Sequence, residues 1–126
     1  MLSFIFEKLY IECFEHMKFQ HTQRYWDVVQ CYFDFWEERK SILRIFKQSS
    51  LLSVLFDGAY QYSFRIFEHV RSKEVAQQFS AQLPYLLAYS VGGMHSMLLK
   101  WVENDMPVPS CVLIEQLKTG FRSTEL

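Results

Sequence analysis

The acidic and histidine residues near the N-terminus are the first candidates for chemistry, because their spacing suits metal binding. Glu12 and His16 are four residues apart, so both would lie on one face of a helix. Helical di-iron centres, however, need paired Glu-x-x-His motifs from different helices. No second acidic and histidine pair with suitable spacing follows in the sequence. We therefore predict that the chain has no metal site and no cofactor.

Nucleophilic and phosphate-binding chemistry also lacks support in the sequence. No serine or cysteine has a visible base partner, and the P-loop, GxGxxG and GxSxG motifs are absent. The adjacent glycines Gly92 and Gly93 lie inside a predicted helix, so they are unsuited to cradling a phosphate. His95 follows them and has two interpretations: a residue that contacts a ligand, or a hydrogen-bonded histidine of the core or an interface. The sequence predicts no catalytic residues and no enzyme.

The three cysteines, Cys13, Cys31 and Cys111, are odd in number and widely spaced, and no CxxC pair occurs. This pattern favours neither a zinc site nor a redox motif. It is typical of a reduced chain, and we expect a cytoplasmic protein in which all three cysteines are buried as small apolar residues.

Length and composition suggest one globular domain with a partner or a ligand. The chain has 126 residues, of which 50% are hydrophobic and 17% aromatic. So much aromatic surface indicates an aromatic core or a surface that meets another molecule. The 13 basic and 14 acidic residues give a formal net charge of −1, with no basic cluster. The chain is therefore not expected to bind nucleic acid by itself.

Apolar residues recur at helical spacing along the chain, and no segment alternates with the period of a strand. The sequence predicts an all-α bundle of about six helices in one domain. Thr22 is a plausible N-cap of the second helix, and the segment Val75–Ala81 is ambiguous but favours a helix. The six predicted helices span, approximately, Leu2–Lys18, Thr22–Arg39, Ser41–Lys47, Leu51–Val70, Pro84–Asn104 and Pro109–Gly120.

The stretch Leu83–Met106 organises the rest of the chain, because it carries no charge from Leu83 to Leu99 and contains a glycine pair. Ala88, Gly92 and Ser96 are spaced by four residues and form one stripe on a helix face. A stripe of small residues lets another backbone approach closely, so we predict a buried helix that packs against a partner helix, either in the same chain or in a second copy. A membrane span is the alternative for so apolar a run.

Aromatic residues at helical spacing form two groups that either line an apolar pocket or fill the core. The first group contains Trp26, Phe33 and Trp36, and the second contains Phe56, Tyr60 and Phe64. Ligand pockets are mostly apolar with a few polar groups, and so large an aromatic set favours some pocket lining.

The segment Tyr85–Met106, YLLAYSVGGMHSMLLKWVENDM, resembles the C-terminal regulatory domain of TetR/AcrR-type transcriptional repressors. The resemblance is an apolar run, a Gly-Gly pair, a second apolar run, Trp101, a polar end and Met106. The upstream stretch RYWDVVQCYFDFWEERKSILRIFKQSSLLSVLF is similar to the aromatic helix, charged turn and short helix of that family. One departure is Pro107-Val108-Pro109, which offers no polar cap to the last helix.

The resemblance implies that residues 1–126 form a single regulatory domain without the N-terminal helix-turn-helix of the family. Its last two helices would form a homodimeric four-helix interface, and its earlier helices would enclose a pocket for a small apolar or aromatic effector. The chain would contact DNA only through the missing domain and would not contact a membrane. The expected interface residues are Ala88, Gly92, Gly93, Ser96, Leu99, Leu113 and Leu117. The expected pocket residues are Trp26, Phe33, Trp36, Phe56, Tyr60, Phe64, Tyr89 and His95.

Two other functions remain as alternatives. The first alternative is a stand-alone helical interaction module that binds a protein through its aromatic face. The second, with less support, is a helical metalloenzyme. An enclosed apolar pocket in a dimer favours the regulator, whereas an open groove on a monomer favours the interaction module.

Overall fold

The structure is a computed structural model that describes residues 2–19, 24–70, 77–78 and 80–122. The prediction of an all-α chain with six helices is confirmed, and no strand occurs in the described residues. The helices are α1 (Leu2–Phe19), α2 (Tyr25–Glu37), α3 (Lys40–Gln48), α4 (Leu52–Val70), α5 (Leu83–Glu103) and α6 (Ser110–Arg122).

The predicted helices match these elements to within a few residues at each end. The proposed cap Thr22 and most of the ambiguous segment Val75–Ala81 lie outside the described residues. The described part of that segment includes two helical residues, 77 and 78, and a turn that leads into α5. No helix in the described part of the chain has the length and apolar composition that a membrane crossing requires.

An aromatic cluster on α2 forms the centre of the core. Phe33 and Trp36 are fully buried, because α2 is covered by α1 on one side and by α6 on another. The Trp36 ring meets the rings of Phe35, Tyr32 and Tyr10 edge-on, at centroid distances of 5.2, 6.3 and 6.3 Å. Edge-to-face packing is a favoured geometry for aromatic pairs, so the pair of Tyr10 and Trp36 stabilises the contact between α1 and α2.

Helices α1 and α4 approach closely where Tyr10 lies against Gly58. A Cβ atom at Gly58 would stand 2.3 Å from Cε2 of the Tyr10 ring. The same ring stacks on Tyr62 at 5.8 Å, and its hydroxyl donates a hydrogen bond to the Leu55 carbonyl oxygen. Glycine costs about 1 kcal/mol in a helix interior. At Gly58 this cost is offset because only glycine leaves room for the ring.

The start of α6 is capped by two acidic side chains from α2 rather than by its own sequence. The amide of Ser110 donates to Oε2 of Glu37 at 2.6 Å, and its hydroxyl donates to Oδ1 of Asp34 at 2.5 Å. Gln30 Nε2 donates to the same Asp34 oxygen at 2.8 Å. Carboxylates near a helix N-terminus interact favourably with the exposed amides and the helix dipole. This network compensates for the missing polar cap before Pro109 and holds α6 on α2.

The connection between α5 and α6 is held by the end of α5. Asp105 has a left-handed backbone, with φ of 59°, and the amide of Met106 donates to the Trp101 carbonyl oxygen at 2.7 Å. This is the bond pattern of a helix that ends in a Schellman motif. The Trp101 indole nitrogen donates to the Val108 carbonyl oxygen at 3.0 Å. These bonds fix the turn that brings α6 back onto α2.

Candidate functional site

A small apolar cavity lies between α1, α2, α4 and α5. Its volume is about 150 Å³, and none of its described lining residues carries a formal charge. Each of the four helices contributes to the wall, so the cavity exists only in the assembled bundle. The described lining residues are Tyr10, Cys13, Met17, Tyr25, Val28, Tyr32, Ala59, Ser63, Phe67, Leu87, Ser90, Val91 and Met94.

The wall of the cavity is apolar because most of its polar groups already have partners. The Tyr10 hydroxyl binds the Leu55 carbonyl oxygen, and the Ser63 hydroxyl donates to the Tyr60 carbonyl oxygen at 2.6 Å. The hydroxyl of Tyr32 is buried in the same wall, close to the Tyr10 side chain.

Burial keeps the ionisable groups of the cavity neutral. It raises the pKa of the Cys13 thiol to about 12 and also raises the pKa values of the Tyr10 and Tyr32 hydroxyls above their ordinary range. The Cys13 thiol is therefore protonated at neutral pH and is not a reactive thiolate. The cavity offers a ligand no charged partner among its described residues.

A second concavity, here called the α5 groove, runs along α5 and is bounded on its other side by residues of α2 and α6. Its volume is about 1010 Å³, and it contains a bare apolar surface on which Tyr89 is 85% exposed and Leu86 is 51% exposed. Five residues line both the groove and the cavity, so a single layer of side chains separates them. The shared residues are Tyr25, Phe67, Leu87, Ser90 and Met94.

The predicted small-residue stripe lies in the α5 groove. Ala88 and Ser96 are exposed and Gly92 is partly buried. A Cβ atom placed at Gly92 or at Gly93 would meet no atom within 4 Å. No described part of the chain therefore uses the close approach that the glycine pair permits.

The three predicted interface leucines are all partly buried. Leu117 lines the α5 groove, whereas Leu113 packs against the hydrophobic core. Leu99 lies on α5 outside the residues that line the groove. The assignment of these residues to a dimer interface stays a prediction.

The structure separates the eight predicted pocket residues into different environments, and none of them is among the residues that line the small cavity. Phe33 and Trp36 are in the core, and Trp26 and Tyr89 line the α5 groove. Phe64 is 46% exposed. The remaining three, Phe56, Tyr60 and His95, form a chain of ring contacts between α4 and α5.

The aromatic residues that line the cavity are Tyr10, Tyr25, Tyr32 and Phe67, none of which was predicted, and smaller residues of α4 and α5 lie between them. Ala59 and Ser63 are four residues apart on α4, and Leu87 and Val91 have the same spacing on α5. Small side chains leave a void when helices pack, whereas large rings fill it. The spacing of Ala59 and Ser63 is visible in the sequence, but it does not show which helix these residues face.

His95 packs beside the cavity wall rather than in it. Its ring centroid lies 5.1 Å from that of Phe56, the residue is buried, and its Nδ1 atom has no hydrogen-bond partner in the described residues. Burial lowers the pKa of His95, and the nearby Asp57 carboxylate partly offsets this effect. The imidazole is therefore neutral at neutral pH.

The cysteine prediction is correct for two positions and wrong for the third. Cys13 and Cys31 are buried, but Cys111 is exposed. Ser110 and Ile114 form the buried face of α6, and Cys111 is one residue further along, which turns it by about 100° away from that face.

The residues considered for a metal site have other surroundings. Glu12 Oε2 lies 3.7 Å from Nη2 of Arg39, and the His16 ring lies 6.4 Å from the Phe35 ring. No group of three or more histidine, cysteine, aspartate or glutamate residues is positioned to hold a metal ion in the part of the chain that is described.

Comparison of the chain with protein-family models, curated proteins and solved structures gave no match. The similarity to the TetR/AcrR regulatory domain therefore stays a prediction from the sequence.

Proposed function

We propose that this chain is an effector-sensing and dimerisation domain of a TetR-like transcriptional regulator. The observation that carries the proposal is the position of α5, which lines an apolar cavity on one side and the open α5 groove on the other. A ligand in the cavity and a partner on the groove would both contact this helix. Such shared contact gives binding at one site a route to change the affinity at the other.

The small cavity supports the sensing half of the proposal. It is lined by four helices and partly open on the side of Tyr25, its described lining is uncharged, and its volume suits a small apolar molecule. Helix α5 contributes Leu87, Ser90, Val91 and Met94 to the wall. A ligand would therefore contact α5 directly, and its affinity would differ between positions of α5 that also change the α5 groove.

The groove supports the dimerisation half. A second copy is the occupant that best fits the groove, because the described residues that line it carry no charge, so two identical surfaces meet without like-charge repulsion. The small side chains at Ala88, Gly92 and Ser96 would let the two α5 backbones approach closely. Exposed apolar rings such as Tyr89 would lose their contact with water, which favours association.

The test is the oligomeric state of the chain by sedimentation velocity over a wide concentration range. We expect a dimer for the parent and a shift to monomer for Gly92→Leu, because the new side chain would separate the two helices. Ser41→Leu is the matched control, since Ser41 is an exposed residue of α3 that lines neither the cavity nor the groove. A parent that is monomeric at high concentration would contradict the regulator proposal.

A monomeric parent would instead favour the interaction module, in which the α5 groove binds a different protein. The exposed aromatic side chains of Tyr85 and Tyr89, at 79% and 85% exposure, are the observation that keeps this second function open. Tyrosine is enriched in the centres of protein interfaces.

A further inference from the structure

We propose that the ligand of this domain is a neutral apolar molecule about the size of one aromatic ring, and that it reaches the cavity from the α5 groove, past the hydrogen bond between Tyr25 and Ser90. The inference rests on the proposed function, because it takes the small cavity as the effector site. It adds the size and charge of the ligand and the route of exchange.

Volume sets the size of the ligand. An apolar protein cavity of about 150 Å³ is large enough to bind benzene. The cavity between α1, α2, α4 and α5 has this volume. A molecule with several fused rings would require the helices to move apart, whereas a single ring fits the space present.

The lining sets the charge of the ligand. None of the described lining residues is basic or acidic, and the thiol and phenol groups of Cys13, Tyr10 and Tyr32 are held neutral by burial. Moving an ionised group into an apolar space without a partner is strongly unfavourable. A ring that carries a carboxylate or an ammonium group is therefore not expected to bind in the cavity.

The shared wall sets the route. The residues Tyr25, Phe67, Leu87, Ser90 and Met94 face both the cavity and the groove, and together they come from α2, α4 and α5. Other parts of the cavity wall, such as Tyr10 and Val91, belong to the buried core. The groove side is thus the thinnest part of the wall.

One hydrogen bond spans this thin wall. The Ser90 hydroxyl donates to the Tyr25 hydroxyl oxygen at 3.2 Å and links α5 to α2 across 65 positions of sequence. Tyr25 is 45% exposed and is the first residue of α2, so its ring can turn towards solvent without disturbing the core. Breaking this bond opens the wall between the groove and the cavity.

The size and charge are tested by ¹⁹F NMR titration with fluorobenzene, a neutral single ring, and with 4-fluorobenzoate, its charged counterpart. We expect fluorobenzene to bind and 4-fluorobenzoate to show no binding at concentrations that saturate the fluorobenzene site. Binding of both probes with similar affinity, or of neither, would overturn this part of the proposal.

The location is tested with a substitution that fills the cavity. Ala59→Leu places a larger side chain in the wall and is expected to weaken fluorobenzene binding at least tenfold. Gln61→Leu is the matched control, because it adds a leucine to the exposed face of the same helix and should bind fluorobenzene as the parent does. If circular dichroism shows that Ala59→Leu is unfolded, Val28→Phe fills the cavity from α2 instead. A cavity-filled, folded variant that binds like the parent would show that the site is elsewhere.

The route is tested by the rate of fluorobenzene exchange in Ser90→Ala and Tyr25→Phe, each of which removes the hydrogen bond from one side. A neutral hydrogen bond contributes about 0.5–1.5 kcal/mol, which corresponds to roughly 2- to 12-fold in an opening equilibrium. We expect exchange to accelerate within this range in both variants, with little change in the dissociation constant. The double variant should exchange no faster than either single variant. Exchange rates equal to that of the parent would refute the route.

The same experiments separate this inference from the proposed function. Fluorobenzene binding by a monomeric chain would support the cavity as a ligand site and contradict the dimeric regulator. A dimer that Gly92→Leu dissociates, but that binds no fluorobenzene, would support dimerisation and contradict the assignment of the ligand.

Discussion

The contact between Tyr10 and Gly58 leads to a prediction about stability that is opposite to the one made by helix propensity alone. Gly58→Ala would normally stabilise a helix interior by about 1 kcal/mol. Here the added methyl would lie 2.3 Å from Cε2 and 2.7 Å from Cδ2 of Tyr10, well inside van der Waals contact. We therefore expect Gly58→Ala to destabilise the domain.

The Tyr10 ring has little freedom to move away from a new methyl group. It is 3% exposed, stacks on Tyr62, meets Trp36 edge-on and is tied by its hydroxyl to Leu55. Overpacking of a well-ordered site costs about 1–3 kcal/mol, and so close an approach belongs to the upper part of that range, about 2–3 kcal/mol, of which the propensity gain offsets about 1 kcal/mol. The expected net loss is therefore about 1–2 kcal/mol in the free energy of unfolding.

Urea denaturation followed by circular dichroism at one fixed protein concentration measures this loss, which should lower the midpoint by roughly 1 M. Gly120→Ala is the matched control, because its methyl would meet no atom within 4 Å and Gly120 does not line the α5 groove, and it should leave stability unchanged or raise it. In a Tyr10→Leu background the penalty of Gly58→Ala should shrink, since the ring is gone. A parent-like midpoint for Gly58→Ala, or an equal penalty in both backgrounds, would refute the reasoning.

Two further predictions concern the cap of α6 and the buried histidine. Ser110→Ala should lower the free energy of unfolding by about 1–2 kcal/mol in the same denaturation assay, because the hydroxyl that donates to Asp34 is lost at a buried position. A substitution at an exposed position, such as Ser41→Ala, should change the free energy of unfolding by less than about 0.5 kcal/mol. Equal losses for Ser110→Ala and Ser41→Ala would contradict the role of the Ser110 hydroxyl in the cap. Burial holds the pKa of His95 below its ordinary value of about 6.5, so the unfolded chain binds more protons just below that pH. Stability should therefore fall as pH falls below about 6.5, and the fall should be smaller in His95→Gln; an identical pH dependence in both proteins would argue against it.

The helices could be predicted from the sequence because their signals are local. The spacing of apolar residues identified all six, and the position of α5 followed from its long uncharged run. The cap of α6 could not be predicted, because its carboxylates at Asp34 and Glu37 lie more than 70 positions earlier in the sequence. Contacts of this kind depend on how the helices are arranged in space.

The lining of the cavity could not be predicted for a related reason. The sequence suggested that large aromatic residues would surround a ligand, but it indicated the wrong ones: Phe33 and Trp36 lie in the closely packed core, and other aromatic residues line the cavity. The void forms where small side chains such as Ala59 and Ser63 face a neighbouring helix. Which small residues face each other is decided by the crossing of α1, α2, α4 and α5, and periodicity in one helix does not contain that information.

The place of α5 explains why its glycine pair is compatible with a stable bundle. The buried side of the helix supplies Leu87, Val91 and Leu98 to the interior, and these residues hold it against α4 and α3. Gly92 and Gly93 lie on other sides of the same turns, where no described residue packs on them. At Gly58 the contact with Tyr10 offsets the loss of helix stability that glycine causes. At Gly92 and Gly93 no contact among the described residues of one chain offsets that loss. A loss of helix stability that no contact offsets is expected where a helix face binds another molecule. A second copy packed on Ala88, Gly92 and Ser96 would offset this loss by close contact between the two backbones.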